Sequence, residues 1–247
     1  SEARPLMLKN SDTKVMCRVL AFSLMPILKN WCHSSQRGFL RDRMPGVGML
    51  DIDTPARCIA MSRRLGLIGL FDFSSAFPSI SRRFILAVMT AARFPEWMLA
   101  MAAATWRGAR VVNVQGDTEY EMADGVGQGC PSAAVLFVIG INPLLVALAK
   151  LCEAYECEIV SAYADDIAIC VTAVDRLQCV YEVFAQFKRA AALELNMRKT
   201  VIVPISAGCA VRAATEVRAM LSTTAWANAL VATNATLIGI LIGPVGS

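Results

Sequence analysis

Histidine is nearly missing: His33 is the only one in 247 residues. The nine cysteines are an odd number and include no pair of CxxC motifs, and the lone Cys152/Cys157 spacing has no histidines to complete it. A zinc site is therefore disfavoured. The cysteines are expected to be reduced core residues of an intracellular protein. Charge is scarce too, at 18% of residues. The first residues are mixed polar and charged, which argues against a signal peptide. The chain opens at Ser1, not Met, and runs straight into patterned sequence, as a piece of a longer polypeptide does. No internal repeat or low-complexity linker is visible.

What is abundant is apolar: 56% of residues, with a mean hydropathy of +0.50. Residues 132–149 carry no charge over eighteen positions, near the length of a bilayer span. Residues 225–247 are uncharged as well. Asn142-Pro143 breaks the first run, and Thr, Asn and Gly dilute the second, so a membrane is not expected as a partner. The length suffices for one or two domains with a real core. Net charge is +4 but uneven. Residues 1–64 hold 11 Lys/Arg and 5 Asp/Glu, and residues 65–247 hold 13 and 15. A basic first part ahead of an acidic remainder suits a protein that grips phosphates with one region and metal with another. A solvated basic face would give the same pattern.

The spacing predicts a helix over 13–29, with Val15, Val19, Phe22 and Leu24 recurring at helical intervals. Residues 41–58 look loop-like, with Pro45, Gly46, Gly48 and Pro55. Residues 67–73 form an apolar run read as a buried strand ending at Asp72. Ser79 or Ser81 then caps a helix through about Ala92. Alternation over 109–122 around Gln115-Gly116-Asp117 predicts a hairpin. A glycine-rich turn, 125–129, precedes a long apolar helix over about 132–150. Residues 158–171 read strand, turn, strand, with Asp165-Asp166 at the turn. Leu177, Val180, Phe184, Phe187 and Ala191 mark an amphipathic helix, and 198–205 a further strand. The sum is an α+β fold of split βαβ type, a ferredoxin-like sheet with helices on one face.

Asp72 ends one apolar stretch, and Asp165 and Asp166 interrupt another. Burying carboxylates among Leu, Ile, Phe and Val costs several kcal/mol unless a cation compensates. No Lys or Arg lies within five residues of Asp165. A divalent metal is the economical partner, since Mg²⁺ needs only a few carboxylates beside water and substrate phosphates. Two ions roughly 3.5–4 Å apart would clamp the attacking and leaving oxygens of an in-line phosphoryl transfer. An isolated Asp-Asp pair is more often a plain turn. The other pieces reverse that reading.

Phe71-Asp72-Phe73-Ser74-Ser75-Ala76-Phe77 resembles motif A of reverse transcriptases. Gly125-Val126-Gly127-Gln128-Gly129-Cys130-Pro131 is similar to motif B, Tyr163-Ala164-Asp165-Asp166 to motif C, and Leu195-Asn196-Met197-Arg198-Lys199-Thr200 to motif D. Leu237-Ile238-Gly239-Ile240-Leu241-Ile242-Gly243 resembles the Leu-Gly stretch that follows in non-LTR enzymes. Arg4-Pro5-Leu6 and Gln36-Arg37-Gly38-Phe39 resemble finger motifs of LINE-like and group II intron enzymes. Order and spacing agree from residue 4 to about 244, so the chain is expected to be the polymerase segment of a non-LTR (LINE-like) retrotransposon enzyme.

The resemblance implies a right-hand palm over 65–247 and partial fingers over 1–64, with no thumb, endonuclease or zinc knuckle in this chain. It implies an RNA-directed DNA polymerase acting in retrotransposition on an RNA template, a DNA or RNA primer and dNTPs, and a nuclear site. Two Mg²⁺ ions, or Mn²⁺, would be held by Asp72 and Asp165, with Asp166 as supporting carboxylate and the Phe73 backbone helping. Phe77 stands at the family's steric gate, where an aromatic ring excludes the 2′-hydroxyl. Gln128 would contact the incoming nucleotide or template, with Gly129 letting backbone come close. Lys199 would be a general acid near the pyrophosphate, and Arg4 would meet the triphosphate. Each has a plainer alternative: a core ring for Phe77, a turn for Gln128, an exposed strand lysine for Lys199. Motif B departs from its usual Pro-Leu-Ser-Pro as Pro131-Ser132-Ala133-Ala134, and Pro78 stands where motif A often has an acidic residue. An RNA-dependent RNA polymerase shares the chemistry, although Phe77 argues against it. A decayed RNA-binding descendant would keep the fold without the reaction.

Overall fold

The computed structural model describes residues 8–62, 64–112, 118–237 and 239–243. In chain order its elements are α1 (Ser11–Trp31), α2 (Pro45–Met61), β1 (Gly66–Phe71), α3 (Ala76–Ser79), α4 (Arg82–Ala91), α5 (Glu96–Thr105), β2 (Arg110–Val112), β3 (Thr118–Glu121) and α6 (Ala133–Cys152). There follow β4 (Ile159–Tyr163), β5 (Asp166–Val171), α7 (Arg176–Ala191), β6 (Val201–Ile205), α8 (Ala210–Leu221), β7 (Leu230–Val231), β8 (Ala235–Leu237) and β9 (Ile240–Ile242). β2 and β3 form the expected hairpin; its Gln115-Gly116-Asp117 turn lies outside the described residues. A second small hairpin joins β8 to β9 in the Leu-Gly stretch.

The main sheet runs β4-β5-β1-β6-β7, with β1 at its centre and buried along its whole length. Alternation divides its side chains between two cores. Leu67 and Phe71 of β1, Ile167, Ile169 and Val171 of β5 and Ile202 of β6 join α1, α4, α6 and α7 in the larger core. Ile68, Leu70, Ala168, Cys170, Val203 and Ile205 point the other way. The expected helices lie on the first face. The opposite face is covered as well, by a helix over residues whose prolines and glycines predict a loop.

That helix is α2. Pro45 opens it, where the missing N–H costs nothing. Pro55 and two glycines make it a poor helix by propensity. Packing overrides propensity: Ile52, Ala56 and Ile59 seal the second core against the sheet. Gly48 permits the approach, since a Cβ there would stand 2.7 Å from Ser161 Oγ on β4. Regions 1–64 and 65–247 therefore share their cores, and the division at 64/65 is not a division of packing.

In α1 the buried face is Cys17, Leu20, Leu24 and Leu28, while Val15, Val19 and Phe22 are exposed. Of the stripe that marked this helix in the sequence, Leu24 alone is in the core. Ser81 caps α4 by accepting from Phe84 N at 3.3 Å. α6 is long and apolar enough to cross a membrane, yet 67% of its most apolar window is buried among the sheet and neighbouring helices. The cysteines divide. Burial pushes the thiols of Cys32, Cys152 and Cys170 up to about 12. Cys58, Cys157 and Cys209 are exposed, against the expectation of core cysteines, because they sit on the outer face of α2, in the turn after α6 and at the start of α8.

Candidate active site

Three acidic residues meet at one edge of the main sheet because strand register puts them there. Phe71 of β1 pairs with Ile167 of β5 in antiparallel register. One step further, Asp72 falls opposite Asp166. Tyr163 pairs with Asp166 across β4 and β5, which leaves Ala164 and Asp165 as a two-residue hairpin turn beside Asp72. Loss of solvent, followed by the negative charges of Asp165 and Asp72, raises the Asp166 carboxyl above its ordinary value. Asp166 is itself exposed, so a cation arriving from solvent can reach the group.

Asp72 is anchored through its backbone. Its carbonyl accepts from Asn196 N at 2.8 Å, and Glu194 O accepts from Ser74 N at 2.8 Å. These bonds flank the bridge between Phe73 and Leu195, so the Phe73 N–H and C=O point away from residues 194–196. The Phe73 ring is buried against Phe184. The Asp72 carboxylate has one buried oxygen, Oδ2, with no hydrogen-bond partner. Lys199 Nζ stands 3.6 Å from it, on a side chain 61% exposed, and such a pair is worth little. Lys199 sits in a turn after Asn196, not in the expected strand, since β6 begins at Val201.

An orphaned carboxylate oxygen beside two further carboxylates is what a hard cation relieves. Among the described residues, no three His, Cys, Asp or Glu side chains form a ready-made metal cage. The donor set suits an ion held by one or two carboxylates and completed by water and phosphate oxygens, the habit of Mg²⁺.

The ring of Phe77 lies next to this edge. It is half-buried, stacked on Phe137 at 4.3 Å and 11° and met edge-on by Phe39 at 6.4 Å. Motif B is laid directly on this segment. Val126 N donates to Phe77 O at 2.8 Å, and Gly125 N to Ile80 O at 2.9 Å. Gly125 has φ +84°, and a Cβ there would lie 2.1 Å from Pro78 O, so no other residue fits. Gln128 and Gly129 follow at once, Gly129 exposed with φ +88°. Arg82, buried, donates to the carbonyls of Gly125, Met122 and Ala123. The structure thus brings together Asp72, Phe73, Asp165, Asp166 and Lys199, while Gln128 and Gly129 follow the Val126 bond to Phe77, and the backbone hydrogen bonds of that loop run to Phe77 and Ile80, not to the carboxylates. Arg4 lies outside the described residues.

Sequence reasoning missed one member of this site. Gln36 is fully buried, and its Oε1 accepts from Ala164 N and from Gly38 N, each at 2.8 Å. The Gln-Arg-Gly-Phe motif had marked the segment, but no role followed from it.

A family model described as reverse transcriptase (RNA-dependent DNA polymerase) matches residues 1–223. The chain is similar to the Transposon TX1 uncharacterized 149 kDa protein of Xenopus laevis, at 24% identity over 210 residues, covering 80% of this chain and 16% of that protein. It therefore spans a small part of that relative's length. Among solved structures it resembles apo telomerase from Candida tropicalis, with a TM-score of 0.60 at 12% identity over 94% of this chain and 39% of that one. Telomerase from Candida albicans in complex with a TWJ fragment of telomeric RNA gives 0.60 at 10% identity, over 93% and 36%. These likenesses show a shared fold, that of the right-hand polymerases.

Proposed function

The chain belongs to the reverse transcriptase (RNA-dependent DNA polymerase) family, and from that premise we propose that it is the fingers-and-palm part of an RNA-directed DNA polymerase of a retrotransposon, extending a DNA or RNA primer with dNTPs on an RNA template. The observation that carries the reading is the buried Asp72 Oδ2, which has no hydrogen bond and only the long Lys199 ion pair, beside the Asp165–Asp166 turn. Asp72 and Asp165 are the proposed ligands of two Mg²⁺ ions, with Asp166 as the supporting carboxylate and the Phe73 carbonyl as a backbone donor. Mn²⁺ could replace Mg²⁺ on the same oxygens. When bound, such ions polarise the primer hydroxyl and neutralise charge on the triphosphate and the departing pyrophosphate.

The chain's own residues supply orientation. Phe77, fixed from below by Phe137, sets the floor under the nucleotide sugar and leaves no room for a 2′-hydroxyl. Gln128 and Gly129 stand one turn further along the loop that rests on Phe77, in reach of the nucleotide or the template. Lys199 Nζ stands 3.6 Å from Asp72 Oδ2 and is the proposed proton donor to the leaving pyrophosphate. Arg4 is the proposed triphosphate contact on the fingers side. Template and primer would be held mainly through backbone and A-form shape.

Primer extension on an RNA template with dNTPs and Mg²⁺ tests the proposal, beside Asp72→Ala and Asp165→Ala. Extension by the parent chain, reduced by at least two orders of magnitude in each variant, is expected. Extension that survives both substitutions would sink the assignment of these two carboxylates.

A further inference from the structure

We propose that Gln36 is a positioning residue for the carboxylate turn: from the fingers side it holds Ala164 in a left-handed conformation, and so sets where Asp165 stands relative to Asp72. The inference rests on the reading of Asp72 and Asp165 as metal ligands. The turn between β4 and β5 has two central residues, and the first, Ala164, has φ +56°. A two-residue hairpin turn with positive φ at this position favours glycine. Alanine here carries a standing strain, which persists only where the surroundings over-determine it.

The surroundings are Gln36 and its immediate neighbours. The Gln36 side chain grips Ala164 from both sides of one residue: Oε1 accepts from Ala164 N at 2.8 Å, and Nε2 donates to Ala164 O at 3.4 Å. The same Oε1 accepts from Gly38 N, which fixes the amide plane. The backbone of the segment is tied to the edge of β4. Arg37 N donates to Ala162 O at 2.7 Å, and Ala162 N to Ser35 O at 2.9 Å. Gly38 makes the approach feasible, since a Cβ there would lie 2.4 Å from Ala164 N. Behind it, the Arg43 guanidinium donates to the carbonyls of Gln36, His33, Cys32 and Lys29, and Arg37 pairs with Asp51 of α2 at 2.7 Å. The clamp is therefore stiff from α1 and α2 through to the turn. A buried glutamine that only satisfied its own polar atoms would make the same bonds, but without consequence for the carboxylates. The experiment must separate these two cases.

The variants are Gln36→Leu, Gln36→Glu, Ala164→Gly and the double Gln36→Leu/Ala164→Gly. Leucine keeps the bulk and removes every bond. Glutamate keeps the one oxygen that accepts from the Ala164 and Gly38 amides and loses only the Nε2 donation to Ala164 O. Glycine at 164 accepts positive φ without help, so it relieves the need for the clamp. Three quantities are read on the whole chain: amide hydrogen exchange at Ala164 and Gly38, Tb³⁺ affinity followed by emission sensitised through the neighbouring Tyr163, and primer extension as kcat, dNTP KM and half-saturating Mg²⁺. In Gln36→Leu, protection at Ala164 should fall at least tenfold, Tb³⁺ and Mg²⁺ should each be needed at five or more times the parent concentration, and kcat should fall ten- to a hundredfold with KM within twofold. Gln36→Glu should keep the protection. The double variant should regain at least half of the lost cation affinity on a logarithmic scale. A Gln36→Leu chain with a lower thermal midpoint but parent-like Tb³⁺ affinity, or a double variant with no recovery, overturns the proposal. A parent chain that fails to extend primers counts against the polymerase reading, while exchange at Ala164 and Asp165-dependent Tb³⁺ binding still decide the role of Gln36.

Discussion

Replacing Phe77 with alanine asks one ring two questions at once. The ring is half-buried, so its removal forfeits about half of the roughly 1.5–3 kcal/mol that a fully buried phenylalanine contributes. The parallel stack on Phe137, at 4.3 Å, adds about 0.5–1.5 kcal/mol. Together this is a loss of about 1.5–3 kcal/mol, or about 3–12 °C in thermal midpoint for a chain of this size. If the ring also faces the nucleotide sugar, the variant should lose discrimination against ribonucleotides. A contact that excludes one small group is worth about 1–3 kcal/mol, or about 10–200-fold in relative kcat/KM. The assay is single-nucleotide incorporation of dNTP against the matching NTP on an RNA template, beside thermal unfolding of both chains. Phe77→Tyr should keep the discrimination, since its ring fills the same space. A midpoint that falls as expected with discrimination unchanged would make Phe77 a core residue and remove the gate.

Two further outcomes follow from the geometry. Glu158 opens the run into β4 with its side chain fully buried, accepting from Thr172 and, through both carboxylate oxygens, from Arg176; Glu158→Ala should cost about 3–5 kcal/mol and about 6–20 °C in midpoint by leaving the Arg176 charge buried without its partner, and a loss below about 1 kcal/mol would refute the claim that this pair anchors β4 to α7. Asp166 is held above its ordinary value of 3.8, so over that window the folded state binds more protons than the unfolded one, and stability falls as pH rises through it. In EDTA the midpoint of Asp166→Asn should therefore gain on the parent as pH rises above 3.8, and saturating Mg²⁺ should cancel the gain; a difference that ignores pH would show that the three carboxylates do not sense one another.

Strands β1, β4, β5 and β6 were legible because the runs at 67–71, 159–163, 167–171 and 201–205 are short, apolar and bounded by breakers, while the two- and three-residue strands β7, β8 and β9 were not expected. The carboxylates were legible because their residue type conflicts with those runs. What the sequence hid falls into two kinds. Local propensity misled at α2, where Pro55, Gly46 and Gly48 signal a loop and only the sheet face it seals makes a helix worthwhile. Val15, Val19 and Phe22 misled in the opposite way, since apolar spacing marks a helix without saying which of its two apolar sides is covered. The second kind is distance along the chain. Gln36 meets Ala164 across 128 positions, and Lys199 meets Asp72 across a chain reversal. No periodicity carries such pairings.

The closed second face of the sheet bears on how this chain can be divided. A cut at the 64/65 boundary, where the family resemblance implies one, would strip α2 from Ile68, Leu70, Ala168, Cys170 and Val203 and bare a contiguous apolar patch. The same cut would remove Gln36 from the Ala164 turn. Domain swaps between relatives would have to carry residues 35–61 along with the strands they cover, so the inheritable unit of this chain is wider than residues 65–247.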